Sequence, residues 1–191
     1  MIKIIHRVND VQDLNKLSVN FGVEIDIRAN NGALILSHDL NQKNSSNLND
    51  YLDVYNHQFL VANIKESGIE EEVINALETK DISNYFLLDV EFPFLLQNFK
   101  KYGDILCLRY SYFEGIDTIK NFVGEIKWVW IDTYKDFELT NEIADILKNF
   151  NLCLVSPSRW GYKEKVSDYI EKFKRFDLSF KAIMIEENEH F

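Results

Sequence analysis

What most restricts this 191-residue chain is a repeated alternation: short, β-rich apolar runs are separated by amphipathic segments at helical spacing. Such a pattern implies βα units and a parallel sheet buried on both faces. The number of runs then selects the architecture. Strands are expected over residues 2–6, 23–27, 59–65, 85–91, 105–110, 126–131, 152–155 and 180–185. A further short strand over 34–36 delivers His38-Asp39 into the longest interval between strands, where a helical turn is expected over 48–55. Long intervals of this kind are often functional.

Local signals mark the intervening helices. Asn9 or Asp10 can cap a helix whose Val11, Leu14, Leu17 and Phe21 face the core, with Gly22 as its stop. Ser67 and Glu70 fit a capping box, Pro93 suits a first helical turn closed by Gly103, and Thr140 is a cap for the helix of Ile143 and Leu147. Eight strands with seven intervening helical segments predict a compact (β/α)8 TIM barrel that lacks its final helix, below the roughly 250 residues typical of that fold. An open doubly wound sheet is the alternative. Against it, His6-Arg7-Val8-Asn9 stands where the glycine-rich nucleotide fingerprint would follow the first strand.

Composition narrows the function classes. A 46% hydrophobic chain with few glycines and prolines fits one domain over residues 1–191, without linkers or repeats. A net charge of −10 with no lysine- or arginine-rich run argues against nucleic acid and anionic membrane surfaces as partners, while leaving room for a small phosphate. No apolar run reaches a membrane span, and the first strand leaves no room for a cleavable signal, so a cytoplasmic location is expected. Cys107 and Cys153 lie inside apolar runs, where buried reduced thiols are usual. Nothing in the pattern fixes the oligomeric state.

In a barrel the active site forms at the C-terminal ends of the strands. Polar residues gather at those positions: His6 and Arg7; Glu24, Asp26 and Arg28; Asn63 and Lys65; Asp89; Arg109; Asp132; Arg159; and Glu186. Glu24 and Asp26 are two apart and share a strand face, which suits a hard divalent cation, Mg²⁺ or Ca²⁺. Asn63 and Lys65 repeat the spacing, offering a neutral oxygen and a cation for a phosphate. His6 and His38 can act as acid and base near neutral pH, whereas His57 and His190 sit in a polar loop and at the C-terminus and receive no role. Asp89 is a weaker candidate. Trp128, Trp130 and Tyr134 are core residues by default and a substrate wall by the alternative.

The order His6-Arg7, Glu24-x-Asp26, 32–39 (Gly-Ala-Leu-Ile-Leu-Ser-His-Asp) and Asn63-Ile64-Lys65 resembles the glycerophosphodiester phosphodiesterases of the phosphatidylinositol phospholipase C-like barrels, over the first third of the chain. The resemblance implies that His6 and His38 are the catalytic histidines, that Glu24 and Asp26 bind a divalent metal, and that Lys65 contacts phosphate; Asp39 follows the second histidine. Two departures stand out: Asn63 replaces a usual acidic ligand, and Val8 replaces a usual glycine. The 154–157 segment is similar to a divergent bacterial branch associated with surface polysaccharides. A metal-assisted hydrolase of a small phosphodiester is therefore expected. The alternatives are metal-independent or cyclising phosphotransfer with Arg7 in the cation's place, and an inert barrel that binds phosphate or sugar. The segment 41–56, which would select the substrate, carries no recognised motif.

Overall fold

The computed structural model describes residues 1–40, 45–162 and 165–186. In chain order these form β1 (Ile2–Ile5), α1 (Val11–Lys16), β2 (Gly22–Asn30), β3 (Ala33–Leu36), β4 (Ser46–Asn47), α2 (Leu48–Val54), β5 (Leu60–Ile64) and α3 (Glu70–Thr79). There follow β6 (Tyr85–Leu88), α4 (Phe92–Tyr102), β7 (Cys107–Tyr110), α5 (Ile116–Lys120), β8 (Trp128–Ile131), α6 (Asn141–Leu147), β9 (Asn151–Val155), a 3-10 turn (Pro157–Trp160), α7 (Val166–Lys174) and β10 (Phe180–Ile185).

Parallel pairing runs β6-β5-β2-β1-β10-β9-β8-β7, so the strands from both ends of the sequence are neighbours. The β6/β7 seam completes the ring through a single bridge, Leu87 to Leu106, and one hydrogen bond from Leu87 N to Ile105 O at 2.7 Å. All eight expected strands are present, most shortened by a residue or more at their ends, and the expected order of a (β/α)8 barrel holds. The expected missing helix falls on residues 187–191, which lie outside the described residues, as do His190 and the start of the 41–56 segment.

Two cores follow from the strand period of two. One side of each strand points into the ring, where Ile4, Val61, Phe86, Leu88, Cys107, Trp128, Cys153 and Met184 pack together; the other packs on the helices. Both cysteines are free and buried, as expected. Moving two residues further along several inward rows replaces carbon by chemistry. Ile4 gives way to His6, Val61 to Asn63, Cys107 to Arg109, Trp130 to Asp132 and Met184 to Glu186. The interior is thus apolar at the strand starts and polar at the strand ends, which is where a barrel presents its site.

Several local expectations need correction. Gly22 does not stop α1, which ends at Lys16; it opens β2, where a Cβ would meet Phe59 O at 2.9 Å. Gly103 follows α4 with φ −57°, so its need is space rather than handedness: a Cβ there would lie 1.8 Å from Glu125 O. Ser67 makes no capping box, because α3 starts at Glu70 with Ile69 as its N-cap and no side-chain cap, and Glu70 instead accepts from Gly68 N at 2.8 Å. The strand over 34–36 is half of an antiparallel hairpin, β2 to β3, turned by Asn31 and Gly32, both at positive φ. That two-residue turn is the geometry an Asn-Gly pair favours. Asp10 and Thr140 cap α1 and α6 as expected.

Candidate active site

β1 ends at Ile5, and His6 and Arg7 follow as a sharp exit with Arg7 at φ +56°. The exit aims the Arg7 amide back at β2, where it donates to Glu24 Oε2 at 2.8 Å. Glu24 Oε1 accepts from Asn63 Nδ2 on β5 at 2.9 Å, and His6 Nε2 lies 3.9 Å from Oε2. Asp26, two residues along, is gripped at two points by Asn9: Asn9 Nδ2 donates to Asp26 Oδ2 at 2.8 Å, and Asp26 N donates to Asn9 Oδ1 at 2.8 Å. Lys65 Nζ lies 3.0 Å from Asp26 Oδ1, an ion pair whose angle is not that of a directed hydrogen bond.

The β2–β3 hairpin carries His38 over this cluster. Arg28 anchors it, donating from Nε and NH2 to His38 O at 3.3 and 3.0 Å and from NH1 to Lys65 O at 3.3 Å. His38 Nδ1 and Asp39 Oδ1 are 2.8 Å apart, and the Arg7 guanidinium donates to His38 Nε2. The Asp39 carboxyl is held below its ordinary value by that histidine contact.

His6, Arg7, Glu24, His38, Asn63 and Lys65 line one cavity of about 210 Å³ at the strand ends. The structure brings seven of the nine sequence-selected residues into it, Asp89 included; Asp26 lies beneath, holding Lys65, and Asp39 stands behind His38. His57 is buried away from it, with Nε2 3.3 Å from Leu14 O. Across the ring, Arg109 is locked between Asp89, by Nε at 2.6 Å and NH2 at 2.9 Å, and Asp132, by NH1 at 2.8 Å. Trp130 Nε1 donates to Asp132 at 3.3 Å and lines the cavity with Tyr134, whose ring packs on Trp160 at a centroid distance of 4.1 Å. Trp128 lies deeper, against Phe59 and Phe86, and belongs to the core.

Burial sets the protonation of two central groups. His6 is pushed down to about 3, first by desolvation and then by Arg159 and Arg7, so its imidazole is neutral. Glu24 is pushed up to about 7, first by desolvation and then by Asp26, against hydrogen bonds from Asn63 and Arg7 that favour its charge. The Asp132 carboxyl is also raised by burial, partly offset by Arg109.

A divalent cation fits this donor set poorly. Among the described residues no three His, Cys, Asp or Glu side chains converge to hold an ion. Asn63 turns its amide NH₂, not an oxygen, toward Glu24, and the Lys65 ammonium already stands at Asp26. Ca²⁺ takes six to eight oxygens and Mg²⁺ a near-ideal octahedron.

No family model and no curated protein matches this sequence. Solved structures do. A proposed glycerophosphoryl diester phosphodiesterase from Agrobacterium tumefaciens superposes with a TM-score of 0.65 at 12% identity, covering 96% of this chain and 92% of its own. A glycerophosphodiester phosphodiesterase from the same organism gives 0.62 at 11% identity, covering 97% of each chain. A glycerophosphoryl diester phosphodiesterase from Parabacteroides distasonis gives 0.59 at 12% identity, over 96% of this chain and 81% of its own. The chain has the barrel fold of these glycerophosphodiester phosphodiesterases. No helix among the described residues is long and apolar enough to cross a membrane.

Proposed function

We propose that this chain hydrolyses a small phosphodiester, with His6 and His38 as its acid–base pair. The observation that carries the reading is their meeting with Arg7 and Lys65 in one cavity at the strand ends of this barrel. The Arg7 guanidinium rests on the His38 imidazole instead of a carboxylate, so an entering phosphate anion can draw it away and receive its planar fork. Lys65 supplies a second positive charge at the cavity floor.

His6 is unprotonated at neutral pH and takes the proton of the attacking water. A base with so low a pKa is weak; desolvation is the first cause of the shift, and Arg159 and Arg7 depress the value further. A bound phosphate anion offsets them and strengthens the base. His38 gives a proton from Nε2 to the departing alcohol as the phosphorus–oxygen bond breaks. Release of Nε2 by Arg7 allows that nitrogen to be protonated, and Asp39 at Nδ1 steadies the imidazolium. The proton taken by His6 returns to solvent and His38 is recharged from it, so water adds across the ester with no net proton change in the enzyme.

The test is alcohol release from glycerophosphocholine, glycerophosphoethanolamine and an aryl phosphodiester. Wild type should turn over at least one, and His6→Ala and His38→Ala should each lose about 10³-fold with melting temperatures retained. Turnover unaffected by either substitution rejects the histidine pair. Saturable diester binding without any turnover would instead identify an inert binding barrel.

A further inference from the structure

We infer that a lysine, and not a divalent cation, neutralises the carboxylates of this site, and that Asn63 is the residue that lets it do so. This rests on the phosphodiesterase reading only for its activity arm.

Three of the four carboxylate oxygens of Glu24 and Asp26 accept hydrogen bonds from the protein, and the fourth, Asp26 Oδ1, lies in an ion pair without a directed hydrogen bond. Glu24 Oε1 takes Asn63 Nδ2 at 2.9 Å and Oε2 takes the Arg7 amide at 2.8 Å. Asp26 Oδ2 takes Asn9 Nδ2 at 2.8 Å, and Oδ1 faces Lys65 Nζ at 3.0 Å. The Asn9 amide cannot be turned over, because its Oδ1 simultaneously receives the Asp26 N–H. With Glu24 ionised, its Oε1 accepts from Asn63 Nδ2 at 2.9 Å, which leaves Asn63 Oδ1 buried without a hydrogen-bond partner.

An acidic side chain at position 63 would oppose Glu24 and require a shared proton or a cation between the two. The amide supplies the hydrogen and removes the requirement. The Lys65 ammonium then completes the exclusion, since an ion bridging Glu24 and Asp26 would sit beside a positive charge already 3.0 Å from Asp26. Two carboxylates alone could hold a hydrated Mg²⁺; the ammonium at Asp26 and the N–H donors on both Glu24 oxygens are what disfavour an ion here. The charge of a bound phosphate is accordingly met by Arg7 and Lys65, which line the same cavity.

The experiment is a titration of the chelator-washed full chain with MgCl₂ and CaCl₂ to about 10 mM, above the range in which weak calcium sites fill. Calorimetry and melting temperature are the readouts. Wild type should give no saturable heat and a melting shift below about 1 °C. The double variant Asn63→Asp, Lys65→Gln should gain saturable binding and a shift of about 3 °C or more. Saturable binding by wild type that Glu24→Gln abolishes overturns the inference, whether or not the double variant folds. With glycerophosphodiester substrates, wild-type turnover should be unchanged, within about two-fold, by excess chelator. Turnover abolished by chelator and restored by Mg²⁺ or Ca²⁺ would also overturn it. A wild type that neither turns over diesters nor binds cations strikes the phosphodiesterase reading and leaves this one standing on its binding data.

Discussion

Arg7 and Arg109 line one cavity from opposite sides of the ring, four strands apart, and they are held in opposite ways. Arg109 is enclosed by two carboxylates, Asp89 in a bidentate fork and Asp132 at its remaining nitrogen. Its guanidinium is spent on the protein. Arg7 is largely exposed, its backbone amide is tied to Glu24, and its side chain rests on His38. That guanidinium keeps most of its hydrogen-bonding capacity for a ligand. The contrast separates a cation that builds the wall from one that is poised for an anion, although both are arginines at strand ends.

The sharpest way to break the comparison is to exchange the consequences of losing each arginine. Arg7→Met should lower kcat/KM for a phosphodiester by about 10²–10³-fold, the usual effect of deleting one donor to a developing oxyanion, with little change in melting temperature. Arg109→Met should act the other way. It leaves Asp132 buried beside Trp130 without its cation, costing about 2–3 kcal/mol of stability by denaturant titration, while turnover per folded molecule falls by less than about ten-fold. If Arg109→Met is as inactive as Arg7→Met yet unfolds no sooner, the wall has been misjudged and Arg109 belongs with the substrate.

The two sides also differ in how much the sequence disclosed. Strand order and the face shared by Glu24 and Asp26 follow from period-two reasoning within single segments, and His6-Arg7 and His38-Asp39 mark the ends of their own runs. Those features were legible because they are local. The Asn9 grip on Asp26 spans 17 residues and the Arg109 contact with Asp132 spans 23, and each depends on the register of neighbouring strands, which no single segment encodes. Trp160 reaches Tyr134 only because a 3-10 turn follows β9. The Asn31-Gly32 turn was readable: two residues of that type between apolar runs specify a hairpin, and the hairpin is what carries His38 to His6. The metal expectation rests on a different kind of reading. Counting acidic residues at strand ends says nothing about which hydrogen donors already face them, and here Asn9, Asn63 and Lys65 do.

The smallest expected effect sharpens the poised side. Burial raises the Glu24 carboxyl from 4.5 to about 7, so the folded protein holds a proton there that the unfolded chain releases. That contribution to stability is fully present below about pH 4.5 and is lost as pH rises through about 7. His6 runs the opposite way. Its pKa falls from 6.5 to about 3 on folding, so its contribution is present above about pH 6.5 and is lost as pH falls toward 3. Between about pH 4.5 and 6.5 the two slopes oppose each other, each bounded by about 1.4 kcal/mol per pH unit. Glu24→Gln deletes only the first. Its stability relative to wild type should therefore climb as pH is raised from about 5 to about 8, by denaturant titration at each pH. A difference that stays flat would mean that Glu24 is ionised throughout, its charge fully met by the Arg7 amide, Asn63 and Lys65. The cavity floor would then be more polar than its burial implies.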